Sequence, residues 1–251
     1  MSIRNFIISI LILLIMVGCS KKPVIDLSAT PQEEFSRAMD LFQAKNYRQA
    51  AVAFQNVVFN FPGSGYAADA QFYLGESYFL KKDYQSAIPE FEFFINSFPG
   101  NQYLEDAYYK LALSYFKSAP TINRDPSIIE KASEVFELLE ERFPETKYRD
   151  EITQIRREIA GLWAEKQYRI GELYYKGEEY NAARIYFGFV QKEYPQTRWS
   201  DMSVFMTGRI LEKTDSTSKA IDIYQTLISE PNDSTVVQLA KNRLAELQSQ
   251  K

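Results

Sequence analysis

The sequence predicts an all-α solenoid of five helix-turn-helix repeats, with a long helix linking the third repeat to the fourth and a capping helix at the C-terminus. Three observations predict it. A short frame recurs five times, clearest as DYQSAIPEFEFFINSFPG from Asp83 to Gly100. It aligns on Ala50, Ala87, Ala132, Ala183 and Ala220, with Phe54, Phe91, Phe136, Phe187 or Tyr224 four residues later. A proline closes each copy: Pro62, Pro99, Pro144, Pro195 and Pro231. Self-similarity on this scale marks stacked supersecondary units, none of which buries its apolar face alone.

Each copy divides into two helices. Twelve residues before the aligned alanine stands another small residue, Ala38, Gly75, Gly171 or Gly208, followed three residues on by Leu41, Tyr78, Tyr174 or Leu211. Helices that meet at small residues approach closely, and the aromatic groups fill the space beside the contact. The proline stops the second helix, and Asn46 and Asp83 suit the turn and cap before it. In repeat three the pattern fits with eight inserted residues, pairing Ala112 and Tyr115 with Ala132 and Phe136. This is the tetratricopeptide (TPR) pattern. Successive prolines lie 37, 45, 51 and 36 residues apart, against a usual 34, and the excesses locate insertions.

In chain order, Arg4 and the apolar run Phe6–Val17 form a signal-peptide h-region, too short to span a bilayer. The run ends Met16-Val17-Gly18-Cys19-Ser20 with the chain's single cysteine, which has the look of a bacterial lipobox. Residues 1–18 are therefore expected to be a lipoprotein signal peptide. Cys19 is the expected lipid-attachment site, and several acyl chains would anchor it to a membrane. Residues 19–30 carry a proline and no helical period, and read as a tether reaching at most roughly 40 Å. The solenoid is expected over residues 31–251, with repeats at about 31–64, 65–101, 102–146, 164–197 and 201–233. A loop, Ser118–Pro126, interrupts repeat three, and Asp125-Pro126 reads as the start of its second helix. Ile152, Ile155, Ile159, Leu162 and Trp163 predict one long helix from about Lys147 to Lys176. From Ser234, Leu239, Leu244 and Leu247 predict a capping helix with one apolar face.

Chemistry is sparse. With no histidine, His-based metal sites and Ser-His-Asp triads are excluded. The acidic pairs Glu33-Glu34, Glu140-Glu141 and Glu178-Glu179 splay about 100° apart on a helix and make poor acid/base dyads. There is no phosphate loop or metal-ligand cluster, so neither an enzyme nor a cofactor is expected. A net charge of −4 without a basic block argues against nucleic acid. Protein binding has a physical basis, because the first helices of a TPR stack line its concave surface. Pairs seven apart share a face there: Phe35/Phe42, Phe72/Phe79 and Tyr109/Phe116. These six are peptide-groove candidates, and core packing against the next repeat is the competing reading. The corresponding Tyr168/Tyr175 and Phe205/Glu212 show the lining weakening toward the C-terminus. Arg124, unexplained by capping, is a further candidate for a carboxylate.

Taken with the lipobox and tether, PQEEFSRAMDLFQAKNYRQAAVAFQNVVFNFPGS (Pro31–Ser64), NRDPSIIEKASEVFELLEERFPETKY (Asn123–Tyr148) and YRIGELYYKGEEYNAARIYFGFVQKEYPQT (Tyr168–Thr197) resemble the BamD family. These are lipoproteins of the outer-membrane β-barrel assembly machinery. The resemblance implies a non-enzymatic scaffold, lipid-anchored at the outer membrane and facing the periplasm. Its N-terminal repeats would recognise targeting segments of unfolded outer-membrane proteins, and its C-terminal repeats would dock on periplasmic domains of the barrel subunit, BamA. Thr217, where an aromatic is expected in repeat five, departs from the pattern. An envelope TPR lipoprotein coordinating cell-wall synthesis or division is the alternative. A glycan-cleaving enzyme would need a catalytic domain, and no long stretch lies free of repeats.

Overall fold

The computed structural model describes residues 30–119, 126–214, 216–229 and 231–249. Their secondary structure is helical throughout: α1 (Pro31–Gln43), α2 (Tyr47–Asn60), α3 (Ala67–Leu80), α4 (Tyr84–Ser97), α5 (Leu104–Ser118), α6 (Ser127–Arg142), α7 (Arg149–Lys176), α8 (Tyr180–Glu193), α9 (Arg198–Lys213), α10 (Thr217–Ser229) and α11 (Ser234–Ser249). Each helix packs on its neighbour in sequence, and odd-numbered helices also touch across repeats, α3 with α5 and α7 with α9. This is the predicted TPR-type solenoid.

Local chemistry sets the ends of the helices. Thr30 and Glu33 form a reciprocal capping box, with Pro31 in the first helical turn. Asp83 accepts the Ser86 amide at the start of α4. Asn46 occupies the same place before α2, but its side chain donates to Gln49 and leaves the helix end uncapped. Three of the turns inside repeats share one geometry. Lys45, Lys82 and Glu178 adopt left-handed backbone, with φ of 59°, 64° and 62°. The amide of the following residue reaches back to Leu41, Tyr78 or Tyr174, as in a Schellman motif.

The recurrent frame is the core. Ala38, Ala50, Ala87, Ala112, Ala132, Ala183 and Ala220 are fully buried, as are Phe54, Phe91, Phe136, Phe187 and Tyr224. In repeats two, four and five the first helix meets that ring through glycine. A methyl group on Gly75, Gly171 or Gly208 would lie within 2.9 Å of Phe91, Phe187 or Tyr224. Acids at the start of the first helices staple successive repeats. Asp69 accepts Asn101, Glu105 accepts Thr146 and Lys147, and Asp201 accepts Asn232 and Asp233.

The long linking helix is α7, 28 residues and so about 42 Å. Its first half buries Ile152, Ile155 and Ile159 against Phe136 and Leu139. Its second half buries Ala164 and Tyr168 against Ala183, Phe187, Val190 and Ile210. One rod thus joins two cores. Two details differ from expectation. α6 begins at Ser127 with Pro126 just outside it, and Asp125 lies outside the described residues. On α11 the buried face is Val236, Ala240 and Leu247, while Leu239 is exposed. Residues 236, 240 and 247 share a face, and position 239 lies about 100° round the helix from 240.

Candidate partner-binding faces

The aromatic residues three before each small residue have one setting. Phe35, Phe72, Tyr109, Tyr168 and Phe205 all pack on the core ring of their own second helix, with centroids 5.5–6.3 Å apart. The next repeat supplies a second ring in four cases. Tyr66, Tyr103, Tyr148 and Trp199 lie 5.3, 4.5, 3.8 and 5.1 Å from Phe35, Phe72, Tyr109 and Tyr168. Each ring is held between its own repeat and the next, a contact worth about 0.5–1.5 kcal/mol beyond its area. Phe72 is 6% exposed and wholly engaged in this ladder, whereas Phe35 and Tyr109 are half-buried. Burial raises the Tyr109 phenol pKa, aided by Glu151, and pushes Tyr168 up to about 12.

Sequence reading missed the second set of rings, although the signal is plain: each stands four residues after a repeat-closing proline.

The residues seven further on differ. Phe42 and Phe79 rest on Tyr47 and Tyr84, the first residues of their second helices, at 5.6 and 5.4 Å. Both are half-buried, as is Phe116. Lys110 lies over the Phe79 ring at 4.4 Å and pairs with Glu76 at 2.8 Å. Thus Phe42, Phe79 and Phe116 keep part of their surface open, Phe79 beside a paired charge. In repeat five this position is Glu212, which binds Arg243 of α11 and accepts the Tyr224 hydroxyl at 2.6 Å. There the chain has exchanged an aromatic for a lock on the capping helix. Arg124 and Cys19 lie outside the described residues.

A second face emerges from comparing one position across repeats, two residues after the small residue. Ser77, Ser114 and Ile210 are buried (0%, 0% and 1% exposed). Each belongs to a repeat stacked directly on the one before. The equivalent residue of repeat four, Leu173, is 70% exposed, because repeat three packs on the first half of α7 and not on the half that carries Leu173. In the same repeat Ile185 (72%), Phe189 (43%) and Tyr174 (38%) are also open, and Tyr174 stacks on Tyr186 at 5.4 Å. Repeat one, which also has no described repeat before it, has Asp40 there. A charged residue suits a solvent-facing end, whereas an apolar cluster marks an interaction surface.

The family profile described as "YfiO: Outer membrane lipoprotein" matches residues 28–227. No curated protein matches by sequence. Among solved structures the chain is similar to TTC0263, a thermophilic TPR protein of Thermus thermophilus, at 13% identity and TM-score 0.39, covering 87% of this chain and 99% of that one. It is likewise similar to YrrB, described as a TPR protein with an unusual peptide-binding site, at 15% identity and TM-score 0.38, covering 85% and 92%. A protein of Bacteroides ovatus gives 12% identity and TM-score 0.39, covering 88% and 99%. The profile spans far more than half of the chain, so the protein belongs to the YfiO (BamD) family of outer-membrane lipoproteins.

Proposed function

We propose that this protein is a non-catalytic scaffold of outer-membrane β-barrel assembly. In this reading Cys19 carries the lipid that holds it to the inner face of the outer membrane, with the solenoid in the periplasm. Its C-terminal half docks on the periplasmic domains of a BamA-type barrel subunit. Its N-terminal half receives targeting segments of unfolded barrel proteins. Membership of the family supports the reading, and the observation that carries it is the open apolar face of repeat four. Leu173 occupies a position that is buried wherever another repeat covers it, and burying such a side chain contributes about 1.5–3 kcal/mol. A protein partner supplies the missing cover.

The N-terminal role rests on Phe42, Phe79 and Phe116, whose partly open rings suit the apolar side chains of an extended peptide. Phe72 contributes by holding the ladder behind them.

The test is co-purification of the barrel subunit's periplasmic domains with the full chain. Leu173→Glu combined with Ile185→Glu should abolish capture while far-UV circular dichroism stays unchanged. Phe42→Ala with Phe79→Ala should weaken binding of a peptide ending in a barrel protein's last strand and leave that capture intact. Undiminished capture by the Leu173/Ile185 variant would remove the docking assignment, and unchanged peptide affinity would remove the groove.

A further inference from the structure

A cleft of about 470 Å³ opens where α7 runs on past the end of repeat four. α8 packs along the second half of α7 and stops at Glu193. The turn that follows faces the extra helical turns of α7 across the cleft. Thr153, Arg157 and Ala160 stand on the α7 wall, and Tyr194, Pro195 and Gln196 on the other. Residues 153, 157 and 160 share one side of the helix, while Ile152, Ile155 and Ile159 of the same turns face repeat three.

Most polar groups of the cleft already have partners. The Thr153 hydroxyl donates to the Arg149 carbonyl, and the Thr197 hydroxyl to the Tyr194 carbonyl. Glu193, the acid in the lining, pairs with Lys192 at 2.8 Å. Arg156 reaches across to Glu140 on α6 at 2.6 Å. The exposed Arg157 is different, with no ion pair or side-chain hydrogen bond among the described residues. Its guanidinium is a rigid fork of N–H donors with no acceptor, and the group that answers such a fork is a carboxylate.

We propose that the cleft takes an acidic side chain of the partner that covers repeat four, with Arg157 as its anchor. The proposal rests on the docking reading above and adds to it the charge that orients the partner. Continuity points to that occupant. The Tyr194 ring in the cleft wall packs on Phe189 at 6.1 Å, and Phe189 is among the open apolar residues of repeat four. Ile185 and Phe189 lie one turn apart on α8, so a surface laid over both reaches the mouth of the cleft. Charge is the second argument. The chain is net negative, so an unpaired guanidinium beside an apolar face selects for an acid on the partner. Apolar cover is non-directional, whereas a charge pair at its edge fixes register and speeds encounter. Ala160, Pro195 and the Tyr194 ring keep water off one side of that pair and so strengthen it.

Affinity of the full chain for the barrel subunit's periplasmic domains tests this. Arg157→Ala should weaken binding about tenfold and flatten its salt dependence, and Arg157→Lys should recover only part of the loss. Arg48→Ala removes an equally exposed arginine from α2 and should change affinity less than about twofold. Bound partner should also slow the reaction of Gln196→Cys with a soluble maleimide. Equal affinities for Arg157→Ala and Arg48→Ala, with capture still abolished by Leu173→Glu and Ile185→Glu, would overturn the proposal and leave the docking reading standing. So would labelling of Gln196→Cys at one rate with and without partner. Absence of capture by the unaltered chain would remove the docking reading, and this proposal with it.

Discussion

Replacing Gly208 by alanine should destabilise the C-terminal end of the solenoid, although alanine is the better helix former. The added methyl would lie 2.5 Å from Cε1 and 2.7 Å from Cζ of Tyr224. Carbon–carbon contacts are comfortable at roughly 3.5–4.0 Å, so the ring would have to move by about 1 Å. It has nowhere to go. Tyr224 is fully buried, and its hydroxyl donates at 2.6 Å to Glu212, the carboxylate that also holds Arg243 on α11. Overpacking of this kind costs about 1–3 kcal/mol. The gain in helix propensity returns about 1 kcal/mol, leaving a net loss of up to about 2 kcal/mol.

Gly188→Ala is the control. It lies exposed within α8 with nothing within 4 Å of the added methyl, so the same substitution should stabilise by roughly 0.5–1 kcal/mol. Urea unfolding followed by circular dichroism at 222 nm reads the two midpoints. Hydrogen exchange should place the Gly208→Ala loss in α9, α10 and α11. A Gly208→Ala midpoint at or above that of Gly188→Ala would refute the idea that glycine is required by the ring behind it.

Arg243→Ala leaves Glu212, whose side chain is 9% exposed, with only the Tyr224 hydroxyl and the more distant Arg209, and should cost about 1–3 kcal/mol, with α11 losing exchange protection first. The same helix should be acid-labile. Burial by itself raises the Glu212 carboxyl, but Arg243 and Tyr224 hold it below the usual range. Burial likewise opposes the lowering of Asp233, which the Thr235 and Val236 amides at the start of α11 bring about. Both folded values lie below the unfolded ones, so this stability is complete above about pH 4.5 and lost as pH falls through the folded values. Exchange measured from pH 7 down to about pH 3 should show α11 opening before α1–α6, and a uniform loss would contradict it. Finally, Cys19→Ser should move the protein from the membrane to the soluble envelope fraction. Continued membrane association after a carbonate wash would exclude lipid as the anchor.

The sequence by itself determined the helices and their pairing. A small residue, an aromatic and a proline at fixed spacing are local statements about which face packs and where a helix must stop. Hence Ala87, Phe91 and Phe94 are buried as the repeat required, and α7 ends at Lys176 as its apolar period implied. The family was legible too, because insert positions are a property of the chain. What each ring or leucine does was decided by the tertiary structure. Phe72 and Phe79 occupy the same helix face seven residues apart, yet one is buried under Tyr103 and the other keeps an open edge. Ser77 and Leu173 hold equivalent places in the frame, and the serine is covered while the leucine is bare. Exposure depends on whether a neighbouring repeat arrives in space. The long helix that links repeats three and four is what withholds that neighbour from Leu173.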